Sequence, residues 1–248
     1  NNWTKVQILD HSKEILVAPQ GPPVKAIEEI KPKKLITTPK GEVVLDLGQN
    51  IVGWARMRVK GEKGDQVTLK FAEVLDKDGN FYTKNLRAAE ATDIYTLKGE
   101  GEEIFEPHFT SHGFRFIQVI DYPGTLSLDD ITGIVIHSDI SPTGSFTTSD
   151  PMVNQLQSNI QWGQKDNFLD IPTDCPQRDE RAGWTGDAQV FSMTAAYNFD
   201  VAAFYTKWLK DLALDQHGNG LVPNVIPDIL SDATGVAAQG GATGWADA

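Results

Sequence analysis

Fourteen consecutive residues hold four carboxylates and two arginines around a tryptophan: Asp174-Cys175-Pro176-Gln177-Arg178-Asp179-Glu180-Arg181-Ala182-Gly183-Trp184-Thr185-Gly186-Asp187. Carboxyls held close to guanidinium groups have tunable proton affinity, and an indole beside them offers a flat apolar platform. Together these are the parts of a site that handles a sugar and moves protons. At the centre of the run, Asp174, Asp179 and Asp187 favour the protonated form of Glu180 by like-charge repulsion. Arg178 and Arg181 pull the other way, and the sequence leaves that balance open.

A blander reading competes with this one. Charged segments beside helices usually face solvent, and Asp187 reads equally well as the N-cap of the helix that follows. Arg178 and Arg181 would then be surface partners of Asp179 and Glu180, worth little. The flanking prolines shift the weight. Pro172 and Pro176 keep the backbone extended, which predicts an ordered, non-helical loop over Asp174 to Glu180. Such loops, fixed between structured elements, are where catalytic side chains concentrate.

The elements around the loop change character along the chain. Residues 1 to about 140 read as strands: Glu42 to Leu47, Trp54 to Lys60, Gln66 to Glu73, Ala91 to Leu97, Phe114 to Tyr122 and Ile131 to His137. Partial alternation and turns such as Lys63-Gly64-Asp65 and Asp78-Gly79-Asn80 support half-buried strands. The pattern implies an antiparallel sandwich of the jelly-roll kind over 1–140. From Ser149-Asp150-Pro151 onward the period becomes helical. A first helix carries Met152, Leu156 and Ile160 with Val153 and Trp162. Asp187 opens a second through Val190, Phe191, Met193 and Ala196. A third, from about Asp200 to Gln216, places Phe204, Trp208, Leu212 and Ala213 on one side. The last 30 residues read as long loops.

The chain has 248 residues, 40% hydrophobic and 23% charged, with a net charge of -12, which describes a soluble globular protein. The acidity argues against a nucleic-acid or anionic-membrane partner. No stretch approaches a membrane span, and the N-terminus lacks the apolar core of a signal peptide. The single cysteine, Cys175, fits a reducing compartment, so a cytoplasmic location is favoured. It reads as packing, since a nucleophilic cysteine needs a base beside it. His11, His108, His112, His137 and His217 lack metal-ligand spacing and are assigned structural roles. Trp3, Trp54, Trp162 and Trp208 are assigned to the core, and Asp228 is left open as a pocket-facing residue. No phosphate loop or metal cluster stands out, so neither cofactor nor metal is expected. Both chain ends look cut, which reads as a piece of a longer protein.

The run from Asp174 to Gln189 resembles the signature of bacterial α-L-rhamnosidases, glycoside hydrolase family 78, and departs from it at Ala182, where a larger apolar residue is frequent. Leu45-Asp46-Leu47-Gly48-Gln49-Asn50-Ile51-Val52-Gly53-Trp54 is similar to the opening of that family's β-sandwich, and Gly113-Phe114-Arg115-Phe116 to a later strand. The resemblance implies a multidomain β-then-α chain: the jelly-roll sandwich over 1–140, then the first helices of an (α/α)6 catalytic barrel over 141–248. It implies Glu180 as general acid and Asp174, Arg178, Asp187 and Trp184 around the rhamnose. Gly244-Trp245-Ala246-Asp247 looks like the next barrel loop, whose tryptophan packs on the sugar. Family members invert the anomeric centre, so a base glutamate lies downstream, outside this chain.

Two functions are therefore weighed. One is an inverting α-L-rhamnosidase acting on rhamnose-containing oligosaccharides or glycosides, of which this segment alone would be inactive. The other is a carbohydrate-binding sandwich module. The first barrel helices would expose apolar faces. That predicts partial disorder of 150–248 in isolation, or shielding by another chain, a homo-oligomer included.

Overall fold

The computed structural model describes residues 3–230, 241–242 and 244–245. Ten strands precede the first helix: β1 (Val24–Ile30), β2 (Lys34–Thr37), β3 (Val43–Lys60), β4 (Gln66–Ala72), β5 (Val74–Leu75), β6 (Phe81–Tyr82), β7 (Thr92–Thr96), β8 (Glu102–Phe105), β9 (His112–Ile120) and β10 (Ile131–Ser138). Eight of them form one antiparallel ladder in the order β1-β10-β3-β9-β4-β7, with β2 and β8 also on β3, while β5 and β6 pair separately.

Strand β3 organises this half. It fuses two of the strands expected from the sequence, because Gly48-Gln49-Asn50 makes a bulge within the strand instead of a turn. Asp46 holds the bulge: its carboxylate accepts the Gly48 amide at 2.7 Å and two bonds from Arg115 of β9, at 2.7 and 2.9 Å. The two sheet motifs singled out in the sequence are thus one ion pair. Arg115 holds the Asp46 carboxyl below the usual carboxylate range. Further on, Gly53 has φ +154°, and a Cβ there would lie 1.7 Å from the Ile134 carbonyl oxygen. Only glycine permits that approach.

Alternate residues of the central strands point inward. Leu45, Ala55, Met57 and Val59 of β3 join Val67, Leu69 and Phe71 of β4, Phe114, Ile117 and Val119 of β9, and Ile131 and Val135 of β10 in one buried cluster. Strands β1, β2 and β8 were not expected individually. Their residues are mostly exposed, and pairing to β3 and β10, not hydrophobic alternation, makes them strands.

Among the described residues three α-helices follow: α1 (Pro151–Asn167), α2 (Thr185–Asn198) and α3 (Ala202–Asp215), with the short strands β11 (Phe168–Leu169) and β12 (Ile171–Pro172) between the first two. Asp150 caps α1 through the Met152 amide, with Pro151 in the first turn, as the sequence implied. The burial of α1 reverses the expected one. Met152 and Leu156 are exposed, whereas Gln164 and Asp166 are buried. The polar side packs inward because it has partners there: Gln164 reaches the Ala195 carbonyl, and Asp166 accepts the Val52 amide of β3 at 3.0 Å. Trp162 packs on the sheet core, and Lys165 pairs with Glu28 at 2.5 Å. On α3, Phe204 and Trp208 are buried as expected, but Ala213 faces solvent. Trp3 is 91% exposed and no part of the core. Among the described residues no helix is long and apolar enough to cross a membrane.

Candidate active site

The acidic run forms the loop that feeds α2, and its own polar groups close it. The Asp174 amide donates to the Ala182 carbonyl at 3.0 Å, and the Ala182 amide returns a 2.8 Å bond to Asp174 Oδ1. At Gly183 a Cβ would lie 2.1 Å from the Ile226 carbonyl oxygen, so glycine lets the loop lie flat on the following segment. Helix α2 starts at Thr185, with Trp184 at the N-cap position and Asp187 in the first turn. The alternative that Asp187 is merely the cap is therefore corrected. A carboxylate in the first turn still gains from the helix dipole.

The arginines divide their work. Arg178 pairs with Glu180 as the blander reading allowed, but also with the buried side chain of Asp174, whereas the bonds of Arg181 go to backbone. Arg178 Nη2 lies 3.1 Å from Asp174 Oδ2 and 3.0 Å from Glu180 Oε2, and its Nε donates to Cys175 Sγ at 3.1 Å. Asp174, Cys175 and Glu180 bring ligand-type atoms within 4.8 Å of one another, but the Arg178 guanidinium supplies the cation there. Arg181 binds backbone instead, donating at 2.7 Å to the Ser111 carbonyl beside β9 and to the carbonyls of Arg178 and Gln177. Burial pushes its guanidinium below the usual arginine range. The loop thereby docks on the sheet half, where Gly113 leaves room for Gln177; a Cβ on Gly113 would sit 3.0 Å from it.

Glu180 is half-buried and has both oxygens engaged. Trp184 Nε1 donates to Oε1 at 2.9 Å. Oε2 meets Arg178 and also Arg87, whose Nε contacts Asp179 at 3.0 Å. Arg87 comes from the sheet half, and no signal in the sequence marks it. It stands in no motif and lies 93 positions from its partner.

Beside the loop opens a cavity of about 600 Å3, lined by Asp174, Asp187 and Trp245 among polar and aromatic groups, and by Ile160, Phe168 and Phe191 among apolar ones. Trp245 lies against Gly186, where a Cβ would come within 2.7 Å of its indole. Its loop neighbours Ala246 and Asp247 lie outside the described residues. Arg178, Glu180 and Trp184 are not among the lining residues. Asp187 opens toward solvent, yet the cavity walls, followed by the charges of Asp174 and Glu180, push its carboxyl up. Burial, then the hydrogen bond with Asp174, raises the Cys175 thiol, which fits packing and not nucleophilic chemistry. Asp228 does not line the cavity and pairs with His217 at 3.4 Å. His112 stacks on Phe71 and bonds Asp93 at 3.0 Å, a structural role.

Residues 36–137 match the bacterial alpha-L-rhamnosidase concanavalin-like domain, and residues 141–248 match the bacterial alpha-L-rhamnosidase 6 hairpin glycosidase domain. The chain belongs to the bacterial α-L-rhamnosidases. It is 50% identical to the alpha-L-rhamnosidase of Streptomyces avermitilis over 99% of this chain and 23% of that protein. The crystal structure of the Streptomyces avermitilis rhamnosidase complexed with L-rhamnose superposes with a TM-score of 0.87 and 49% identity, covering 94% of this chain and 22% of that one. Native rhamnosidase from Aspergillus terreus gives a TM-score of 0.87 at 46% identity, over 91% and 26% of the two chains. The segment spans about a quarter of the length of the curated rhamnosidases it matches. The order of the two matched domains along this chain agrees with the β-then-α order implied by the sequence.

Proposed function

We propose that a protein of the relatives' length carrying this segment releases terminal α-L-rhamnose from rhamnosides with inversion of configuration. Glu180 is the general acid, and Asp174, Arg178, Trp184, Asp187 and Trp245 hold the sugar. The base is a glutamate outside these residues, expected roughly 6.5–9.5 Å from the acid. Residues 1–140 form the sandwich and 141–248 the start of the barrel.

One observation carries the reading: the Trp184 N–H fixes Oε1 of Glu180, beside a cavity into which Asp174, Asp187 and Trp245 project. A carboxyl oriented this way, next to hydroxyl-binding carboxylates and an indole wall, suits donation to a glycosidic oxygen. Exposed Met152, Leu156, Val190 and Met193 leave apolar helix faces for further barrel helices or a second copy to cover.

The test uses aryl α-L-rhamnosides. Glu180→Gln should lose at least about a hundredfold on a poor leaving group and far less on an activated one, which needs no proton. Full retention on the poor leaving group would remove Glu180 from the role. NMR of the first-formed anomer checks inversion.

Asp187 supports a second reading, because its carboxyl is pushed up and it lines the cavity. In that case Asp187→Asn, and not Glu180→Gln, would show the leaving-group dependence.

A further inference from the structure

Arg87 does not belong to the acidic loop, to the barrel start or to any motif, yet its guanidinium reaches both carboxylates at the loop's centre. It pairs with Asp179 at 3.0 Å through Nε and with Glu180 Oε2 through Nη2. The residue sits just after a 3-10 turn over Lys84–Leu86, whose Leu86 is buried in the sheet core. Its backbone has φ 55° and ψ -116°, a conformation that side-chain-bearing residues rarely adopt. Strain of this kind persists where surrounding structure enforces it, and it clusters at functional sites.

We propose that Arg87 is a positioning residue through which the sheet half controls Glu180. It holds the carboxyl in register between Trp184 and Arg178, and it yields Oε2 when that oxygen carries the proton for the leaving group. The inference rests on Glu180 as proton donor.

The geometry gives the reasoning. Trp184 occupies Oε1, so Oε2 is the oxygen left to donate. Each guanidinium beside Oε2 disfavours the proton that this oxygen must carry, and two of them do so more than one. Arg178 is tied to Asp174 and Cys175 as well, whereas Arg87 is about half exposed and arrives from another part of the fold. Arg87 is thus the partner freer to withdraw. In the step itself the Glu180 O–H proton passes to the glycosidic oxygen while the anomeric C–O bond breaks and its electron pair stays on the leaving oxygen. Water forms the new bond and gives its proton to the base. The restored Glu180 carboxylate then regains Arg87. The charged groups facing Glu180 are Arg87 from the sheet half, Arg178, Asp174 and neighbouring Asp179 from the loop, and Asp187 from α2.

Arg87→Gln and Arg87→Lys, in a protein of the relatives' length, test the proposal through the pH profile of kcat/KM on an aryl rhamnoside with a poor leaving group. Removing a cation beside a carboxyl favours the protonated form, so in Arg87→Gln the alkaline limb should move to higher pH by about half to one unit. Lysine should move it back toward the parent position. A uniform rate loss with the limb unmoved would overturn the proposal, as would an unchanged profile and rate. Carbon NMR titration of the selectively labelled Glu180 side-chain carboxyl, in the same protein of the relatives' length, reads the same coupling without catalysis. Equal midpoints in parent and Arg87→Gln would defeat the Arg87 role by themselves. Retained activity in Glu180→Gln would defeat the assignment of the acid and the donation step with it, whereas the Arg87–Glu180 coupling is decided by the titration.

Discussion

The Trp184 indole N–H donates a 2.9 Å hydrogen bond to Oε1 of Glu180, from the residue that caps α2 to a carboxyl four positions earlier in the loop. The residue at the helix start thus also orients the acid candidate, through its side chain.

Trp184→Phe keeps an aromatic ring and deletes the donor. A hydrogen bond to a charged group is worth about 1.5–3 kcal/mol, so the variant should lose about 10- to 100-fold in kcat with little change in melting temperature. Steady-state kinetics alongside thermal unfolding will check it. Unchanged kcat would show that this bond orients nothing of consequence.

Gly186→Ala tests the wall formed by Trp245. A methyl group there would come within 2.7 Å of the indole, in an ordinary helical turn where alanine carries no backbone strain. The ring is partly exposed and can swing, so the fold should persist while KM for rhamnosides rises several-fold. Alanine favours the helix by about 1 kcal/mol over glycine, which offsets part of the contact cost. An unaltered KM would place Trp245 outside the sugar's path.

Asp166 governs a pH dependence of stability. Burial, its largest cause, raises its carboxyl well above the usual range, and the nearby Glu73 charge adds to this. The folded chain thus holds this proton more tightly than the unfolded chain. Its contribution is complete below the unfolded value near 4 and is lost as pH rises through the raised folded value. Asp166→Asn keeps an oxygen for the Val52 amide and cannot ionise. Denaturant melts should find it more stable than the parent at neutral pH, with a flatter decline from acid to neutral. A parallel decline in both proteins would rule the idea out.

The Asp46–Arg115 pair acts in the opposite sense. Arg115 lowers the Asp46 carboxyl, so the stabilisation is present above the unfolded value and disappears as pH falls through the lower folded one. Arg115→Met should cost about 1–2 kcal/mol at neutral pH, less than a fully buried pair because the guanidinium is partly exposed. The difference from the parent should shrink in acid. A constant difference across pH would mean that packing, and not the pair, was lost.

The long motif from Asp174 to Gln189 made the family legible, and the change from alternating to helical period made the order of sheet and helices legible. Both are local properties: residue identity at fixed spacing, and solvent exposure imposed by strand or helix geometry. The cap on α1 and the non-helical loop after Pro172 follow from proline and aspartate chemistry alone. The fusion of two expected strands into β3 was hidden, because glycine and asparagine mark a bulge and a turn alike until Arg115 arrives to hold Asp46. The buried face of α1 was hidden too. Its glutamine and aspartate go inward only because Ala195 and Val52 offer partners from other elements.

The sequence by itself determined which chemical groups gather at the loop and that a sugar hydrolase's parts were present. Only the tertiary structure decided how they are wired. Arg181 turns away to carbonyl oxygens, Arg178 bridges Asp174 and Glu180, and Arg87 crosses from the sheet to meet the same carboxylate. Short-range spacing encodes the first kind of fact. The second depends on charges brought together by strand pairing across the chain, where distance along the sequence carries no trace of distance in space.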